Sequence, residues 1–274
     1  MAISNFIPTV WSETLLSELD HDYIGVRNCS RDFEGDIRGK GSSVKINGIG
    51  DISVFDYTKD TDMQTAQDLS DTSQTLLIDQ AKAFNFQIDD VDRAQSTPKL
   101  MQAAMSQAAA ALSDVADAYV YSLYKNVAPT NTIAYSEIVA EDVLDILLDA
   151  RRVLLSHGVN SNIPTSLEVS PEVAALIIKS KILNNSDNTA ALENGALGSF
   201  IGFDVYVSPN IAVVDNRYKC LARTKRAIAF AEQLNEVEAY RPENRFADAV
   251  KGLHLYGAKV VYPDEVVLLD LSVG

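Results

Sequence analysis

Residues 98–126, PKLMQAAMSQAAAALSDVADAYVYSLYKN, decide how the rest of the chain is read. At about 100° per residue, Leu100, Met101, Ala104, Met105, Ala108, Ala111, Leu112, Val115, Tyr119 and Leu123 fall within one arc of roughly 140°. Lys99, Gln102, Ser106, Gln107, Ser113, Asp114, Asp117 and Lys125 fall opposite, so that face is expected to be solvated. Thr97 offers an N-cap oxygen, and Pro98 gives up a donor that the first helical position would leave orphaned. Alanine at so many positions keeps the propensity cost low. The pattern predicts one amphipathic helix of about 43 Å, roughly twice the ordinary globular length.

Upstream, the apolar period drops to two. Val44 and Ile46, then Ile52 and Val54, alternate around Asn47-Gly48 and Gly50-Asp51, which supply turn or bulge residues. A second alternating run holds Leu76, Ile78, Phe84, Phe86 and Ile88. Between the runs lies DYTKDTDMQTAQDLSDTS, residues 56–73, with only Tyr57, Met63 and Leu69 to bury. Structureless loops beyond about 15 residues are uncommon within compact domains. The segment therefore reads as the tip of a long two-stranded hairpin that leaves the body. A lone hairpin is marginal in water, so support from outside the subunit is expected, the first physical sign of an assembling protein. At the N-terminus, Phe6, Ile7, Pro8 and Trp11 precede Leu15, Leu16 and Leu19 at helical spacing. Such an apolar arm packs on its own body or on a neighbouring subunit.

Downstream, Ala128 to Thr132 reads as a linker and boundary. Glu141 to His157 is the next predicted helix, with Gly158 as its stop and His157 at the negative end of its dipole. Leu167 and Val169 mark a strand, Ser170-Pro171-Glu172 starts a third helix, and Asn184 to Asn188 is loop. Gly195, Gly198 and Gly202 do not match the spacing of a dinucleotide or phosphate loop and read as turns feeding the strand Phe203, Val205, Val207. Further strands are expected at Lys219–Leu221, Ala227–Ala231 and Asn235–Tyr240. After a charged turn from Arg241 to Ala249, strands follow at Leu253–Tyr262 and Val266–Leu271, split at Pro263-Asp264.

The chain has 274 residues and a net charge of −15. So acidic a surface gains nothing from counterion release on phosphates, which argues against direct nucleic-acid binding. Cys29 and Cys220 form no metal or redox motif, and a reducing cytoplasm fits them. No secretory signal and no membrane span is read. Ser/His/Asp order, paired histidines, phosphate loop and basic aromatic patch are all missing. Asp89, Asp90 and Asp92 lack the ligand spacing and glycine of a calcium loop and read as solvated acids near the start of the long helix. His254 reads as structural. No catalytic, cofactor-binding or metal site is assigned.

The order of elements resembles the major capsid proteins of tailed bacteriophages, the Hong Kong 97 type of shell subunit. Four pieces carry the likeness: FIPTVWSETLL (6–16), FNFQIDDVDRAQ (84–95), GALGSFIGFDVYVS (195–208) and GLHLYGAKVVYP (252–263). The resemblance implies an α+β fold with an N-terminal arm (residues 1–30), an extended hairpin region called the E-loop (31–87), a peripheral domain with the spine helix (88–128 and 236–262) and an axial domain (129–235 and 263–274). The arm motif starts within six residues of Met1, so a separate scaffolding protein, or none, is the expectation. Some relatives are joined by a Lys to Asn isopeptide bond, but no local motif singles out Lys45, Lys59 or Lys82 here.

The function so implied is structural and not enzymatic. Copies form pentamers and hexamers of a closed icosahedral head around double-stranded DNA, without sequence-specific binding, without a membrane and without a cofactor. Portal, decoration and scaffolding proteins are the expected partners, and assembly is expected in the host bacterial cytoplasm. An encapsulin-type compartment is the nearest alternative. A hydrolase using Asp89, Asp90 or Asp92 is the remote one.

Overall fold

A computed structural model describes residues 15, 17–19, 22–32, 41–49, 56, 59, 71–89, 100–184, 197–244 and 246–274. In chain order these form β1 (Ser43–Ile49), β2 (Asp71–Leu77), β3 (Gln80–Asp89), α1 (Leu100–Ser122), β4 (Thr132–Ile138), α2 (Val143–Ser156), β5 (Thr165–Val169), α3 (Pro171–Asn184), β6 (Ser199–Phe200), β7 (Phe203–Val207), β8 (Val213–Val214), β9 (Arg217–Thr224), β10 (Ile228–Tyr240), β11 (Ala247–Val260) and β12 (Val266–Val273). β1 and β2 pair alone as an antiparallel hairpin. A three-stranded antiparallel sheet has the order β10-β11-β3. A seven-stranded mixed sheet runs β4-β12-β9-β5-β7-β6, with β8 paired to β9.

Local chemistry sets the boundaries. The Ser170 hydroxyl accepts the Val173 N–H at 3.3 Å, and Pro171 opens α3. Gly158, at φ +82°, ends the turn after α2 and donates to the Leu155 carbonyl at 3.0 Å. Ile201 and Gly202, at φ +51° and +78°, make the two-residue turn between β6 and β7, as the glycine spacing suggested.

The long helix is present, but its buried side is turned by about 100°, one residue's rotation, from the expected arc. Met105, Ala109, Leu112, Ala116, Val120 and Tyr121 are buried, whereas Val115 is 40% exposed. Ser113 and Asp117, expected in solvent, are inside. The Ser113 hydroxyl bonds the Ala110 carbonyl within the helix, and Asp117 is satisfied by backbone donors described below. The last turn, Leu123–Asn126, tightens to a 3-10 helix.

Three other expectations change. Asp71 to Ser73 belong to β2, opposite Ile49 to Asn47. The two predicted strands at 227–231 and 235–240 are one strand, β10, broken only by a register shift between Leu234 and Glu236. β11 begins at Ala247 instead of Leu253, because polar positions such as Lys251 lie on the open side of a paired strand and ion-pair with Glu238 at 2.8 Å. Phe6 to Trp11, the run Ile52 and Val54, most of the hairpin tip, Asp90 to Pro98 and residues 185–196 lie outside the described residues.

Leu15 and Leu19 are fully buried in the main core with Met105 and Leu112, so this part of the arm packs on its own body. A second, smaller core lies under the hairpin: Ile46, Leu76 and Ile78 meet Ala229, Ala231, Leu255 and Val261. Backbone bonds Gly41 N–H to Ile78 carbonyl (2.8 Å) and Ile78 N–H to Ser42 carbonyl (2.9 Å) close the root. There β11 comes so near that a Cβ on Gly257 would stand 2.1 Å from the Leu77 carbonyl oxygen. Gly257→Ala is therefore expected to destabilise the subunit by about 3 kcal/mol. Gly41→Ala, with open space but φ +90°, should cost about 1 kcal/mol. Denaturant unfolding of the two variants checks the order.

Candidate functional site

Residues 23–31 cross the seam where α1, the seven-stranded sheet and the three-stranded sheet meet. This segment, called the arm root below, follows Leu15 and Leu19, which lie in the main core. Val26–Asn28 forms a single 3-10 turn. The Asp117 carboxylate accepts the N–H groups of Ile24 and Val26, both at 2.9 Å. Burial pushes the Asp117 carboxyl above its ordinary range, and these backbone donors pull it back. Gly25 is needed there, since a Cβ would stand 2.9 Å from the Tyr121 ring.

Below the turn lies a fully buried ion pair between Glu168 of β5 and Arg223 of β9. The guanidinium grips the carboxylate with two bonds, Nε to Oε2 at 3.1 Å and Nη2 to Oε1 at 2.7 Å. Its remaining donors go to the arm root, Nη1 to the Asn28 carbonyl at 2.5 Å and Nη2 to the Gly25 carbonyl at 2.8 Å. The Asn28 side-chain amide donates to Glu168 Oε1 at 3.0 Å. Burial raises the Glu168 carboxyl, while Arg223 and Asn28 act in the opposite direction.

The other end of the segment ties to the three-stranded sheet. Ser30 donates to the Ile228 carbonyl and accepts from Phe230, each at 2.9 Å, adding a one-residue parallel bridge to β10. Glu232 of β10 accepts from the Tyr23 hydroxyl at 2.5 Å and Arg31 Nη2 at 2.6 Å, and it pairs with His254 Nε2 at 2.8 Å. Burial acts to raise Glu232, but the bonds from His254 and Tyr23 and the Arg31 charge outweigh it and hold the carboxyl below the ordinary range. Burial beside that carboxylate pushes the Tyr23 hydroxyl up, so it stays a donor.

Sequence reasoning missed this clamp. Glu168 and Arg223 each sit in a buried strand among apolar neighbours, which was the available signal, but 55 positions separate them. Of the residues singled out from sequence, His254 is the structural partner of Glu232, and His157 Nε2 lies 3.0 Å from the Asn131 side-chain oxygen. Cys29 and Cys220 are buried and unpaired with each other, and burial raises their thiols to about 11 and about 12, which keeps them protonated at neutral pH. Asp89 ends β3 opposite Ala247, and Asp90 and Asp92 lie outside the described residues. Lys45 and Lys82 lie on β1 and β3. Among the described residues, no group of three or more His, Cys, Asp or Glu is placed to hold a metal ion.

A long helix beside a three-stranded sheet, a hairpin on a separate small core and a mixed sheet clamped to an arm root define a shell-subunit fold of the Hong Kong 97 type. A chain of Mycobacterium phage Che8 shares 29% identity, with 90% of each chain covered and a TM-score of 0.70. The capsid of cyanophage P-SCSP1u shares 15% identity over 90% of this chain and 86% of that one, with a TM-score of 0.66. The holo-SrpI encapsulin complex of Synechococcus elongatus PCC 7942 shares the fold at 12% identity and a TM-score of 0.57, over 85% and 83% of the two chains. No match is found among curated proteins. The model of the phage capsid protein family matches residues 72–269, and the chain belongs to that family. It is a structural major capsid protein. The weaker likeness to the encapsulin leaves that reading in place.

Two measurements test the clamp. Arg223→Met should cost about 3–5 kcal/mol by stranding a buried carboxylate, and Arg223→Lys should rescue little because an ammonium cannot reproduce the fork. Denaturant midpoints check both. Glu232→Gln should cost about 1–3 kcal/mol at neutral pH. A carboxyl held low in the folded state stabilises above its unfolded value and loses that contribution as pH falls through its folded value. The gap between wild type and variant should therefore close below the ordinary carboxylate range, as read from unfolding curves at stepped pH.

Proposed function

We propose that this subunit closes into the icosahedral head of a tailed double-stranded DNA phage, in pentamers and hexamers. The observation that carries the reading is the β1–β2 hairpin, which pairs with neither large sheet and rests on a small core of its own. A hairpin held so lightly gains from a surface outside its subunit. In this reading residues 1–30 are the arm, which packs on its own body from Leu15 onward and latches a neighbour through the residues before it, and residues 31–87 carry the E-loop that lies over the adjacent subunit. The peripheral domain takes 88–128 and 236–262, and the axial domain takes 129–235 and 263–274, converging at the capsomer centre. Each contact is modest, and closure engages all of them together.

The charge of −15 suits a container for DNA, because an acidic inner wall does not adsorb the packaged polymer. The enclosed DNA is held without sequence-specific binding. A scaffolding protein, a portal and decoration proteins are the further partners of this reading, and the host bacterial cytoplasm is the place of assembly. Negative-stain microscopy of the expressed chain, with and without scaffold, tests it: closed shells are expected, and persistent monomers under every assembly condition would overturn it.

Replacing residues 52–68 with a short Gly-Ser turn keeps the β1 and β2 pairing. This variant should unfold within about 3 °C of wild type yet form no normal shells. Normal shells from it would remove the role given to the hairpin.

A further inference from the structure

In the seven-stranded sheet Ser166 lies opposite both Asp204 and Arg223, and Glu168 lies opposite Tyr206, so these side chains share one face. The arm-root turn covers the part of that face holding Glu168 and Arg223. Beside it remains an open cleft of about 230 Å³, lined in part by Arg27, Thr165, Ser166, Asp204, Tyr206 and Lys225. Arg27 projects from a turn whose backbone is fixed by Asp117 and Arg223, and Lys225 opens the short turn that leaves β9. Both are exposed, and among the described residues neither has a hydrogen bond or ion pair. Other cations of this region are engaged: Arg31 with Glu232, Arg217 and Lys219 with Asp270, Arg223 with Glu168, and Arg226 with Glu265. The cleft therefore offers two free cations against one carboxylate, that of Asp204.

We propose that this cleft docks the acidic hairpin tip, residues 56–70, of a second copy of the chain. The inference rests on the shell reading above and names the partner surface of the hairpin. Charge complementarity selects the occupant: residues 56–70 hold Asp56, Asp60, Asp62 and Asp68 against the single cation Lys59. Among the described residues, the hairpin that carries the tip is held at its root by the small core and by bonds from Gln74 to the Val261 carbonyl and from Lys259 to the Thr75 carbonyl. Asp carboxylates on the tip accept from the Arg27 guanidinium, which donates to two oxygens at once, and from the Lys225 ammonium.

The test is charge reversal in the full chain. R27E/K225E should lower the yield of closed shells by about tenfold or more, because like charges then face each other across the contact, with the thermal unfolding of the isolated subunit unchanged. D60K/D62K should show the same defect, and the combined four-residue variant should return shell yield to about the wild-type level. Wild-type shell yield from R27E/K225E, or no recovery in the combined variant, would overturn the docking while leaving the shell reading intact. A shift in the unfolding of the isolated R27E/K225E subunit would place the tip on its own body and overturn docking by a second copy. Intact shells that lose only retained DNA would assign the cations to phosphate instead. Absence of shells from the wild-type chain would remove the shell reading itself, and with it the proposal.

Discussion

Arg223 can be fully buried because four oxygen acceptors converge on its guanidinium, both oxygens of Glu168 and the carbonyls of Gly25 and Asn28, with the Cys29 sulfur beside them. Taking the two charges out of water costs several kcal/mol per ion, and only such geometry offsets it. Two of the four acceptors are backbone groups of the arm root. The arm root therefore cannot lift away without stranding a cation inside the sheet. Asp117 extends the same constraint to α1, and Ser30 and Glu232 extend it to the three-stranded sheet. One nine-residue segment thus fixes the mutual placement of the helix and both larger sheets.

Close approach completes what the polar bonds begin. Ala109 and Ala116 on α1 are fully buried, and Gly25 meets the Tyr121 ring where a larger residue would collide. At the hairpin the same device acts alone, with Gly257 against the Leu77 carbonyl over a small core of alanine and aliphatic side chains. The body is bound by a large core together with a charge network. Among the described residues, the hairpin has a small core and a few root bonds. The difference in anchoring is what makes the hairpin suited to taking part of its stability from a neighbour.

Elements with strong periodicity were legible in the sequence, among them α1, α2, α3 and the strand pairs around the tail. Boundaries set by pairing were not, because a strand such as β10 tolerates a register shift that breaks its alternation at Leu234 and Glu236. The facing of α1 was misread for a physical reason. An aspartate counts as a surface residue in any periodicity argument, and nothing local reveals that the N–H groups of Ile24 and Val26 will meet it from 91 or more positions away. Arg223 and Glu168 escaped for the same reason, since a buried charge is tolerable only through its partners and those partners are distant in sequence. The β1–β2 pairing, by contrast, was legible in the alternation at Val44 and Ile46 and at Leu76 and Ile78 on either side of a long polar stretch.

The network has a further electrostatic consequence. Arg31, Arg217, Lys219, Arg223 and Arg226 are each engaged with a carboxylate of the same subunit. A surplus of acids remains after every cation is counted, and a chain of net charge −15 presents a repulsive surface to its copies. Screening at physiological salt shortens that repulsion to about 8 Å but does not reverse it. Contacts between copies are then favoured where they are apolar or where they recruit cations not already paired, such as Arg27 and Lys225 among the described residues. Leu148, Leu155 and Phe246 are exposed and available for the first. Arg27 and Lys225, set beside the arm root, serve the second, because a cation left unpaired in so acidic a protein is worth more to a neighbour than to its own chain.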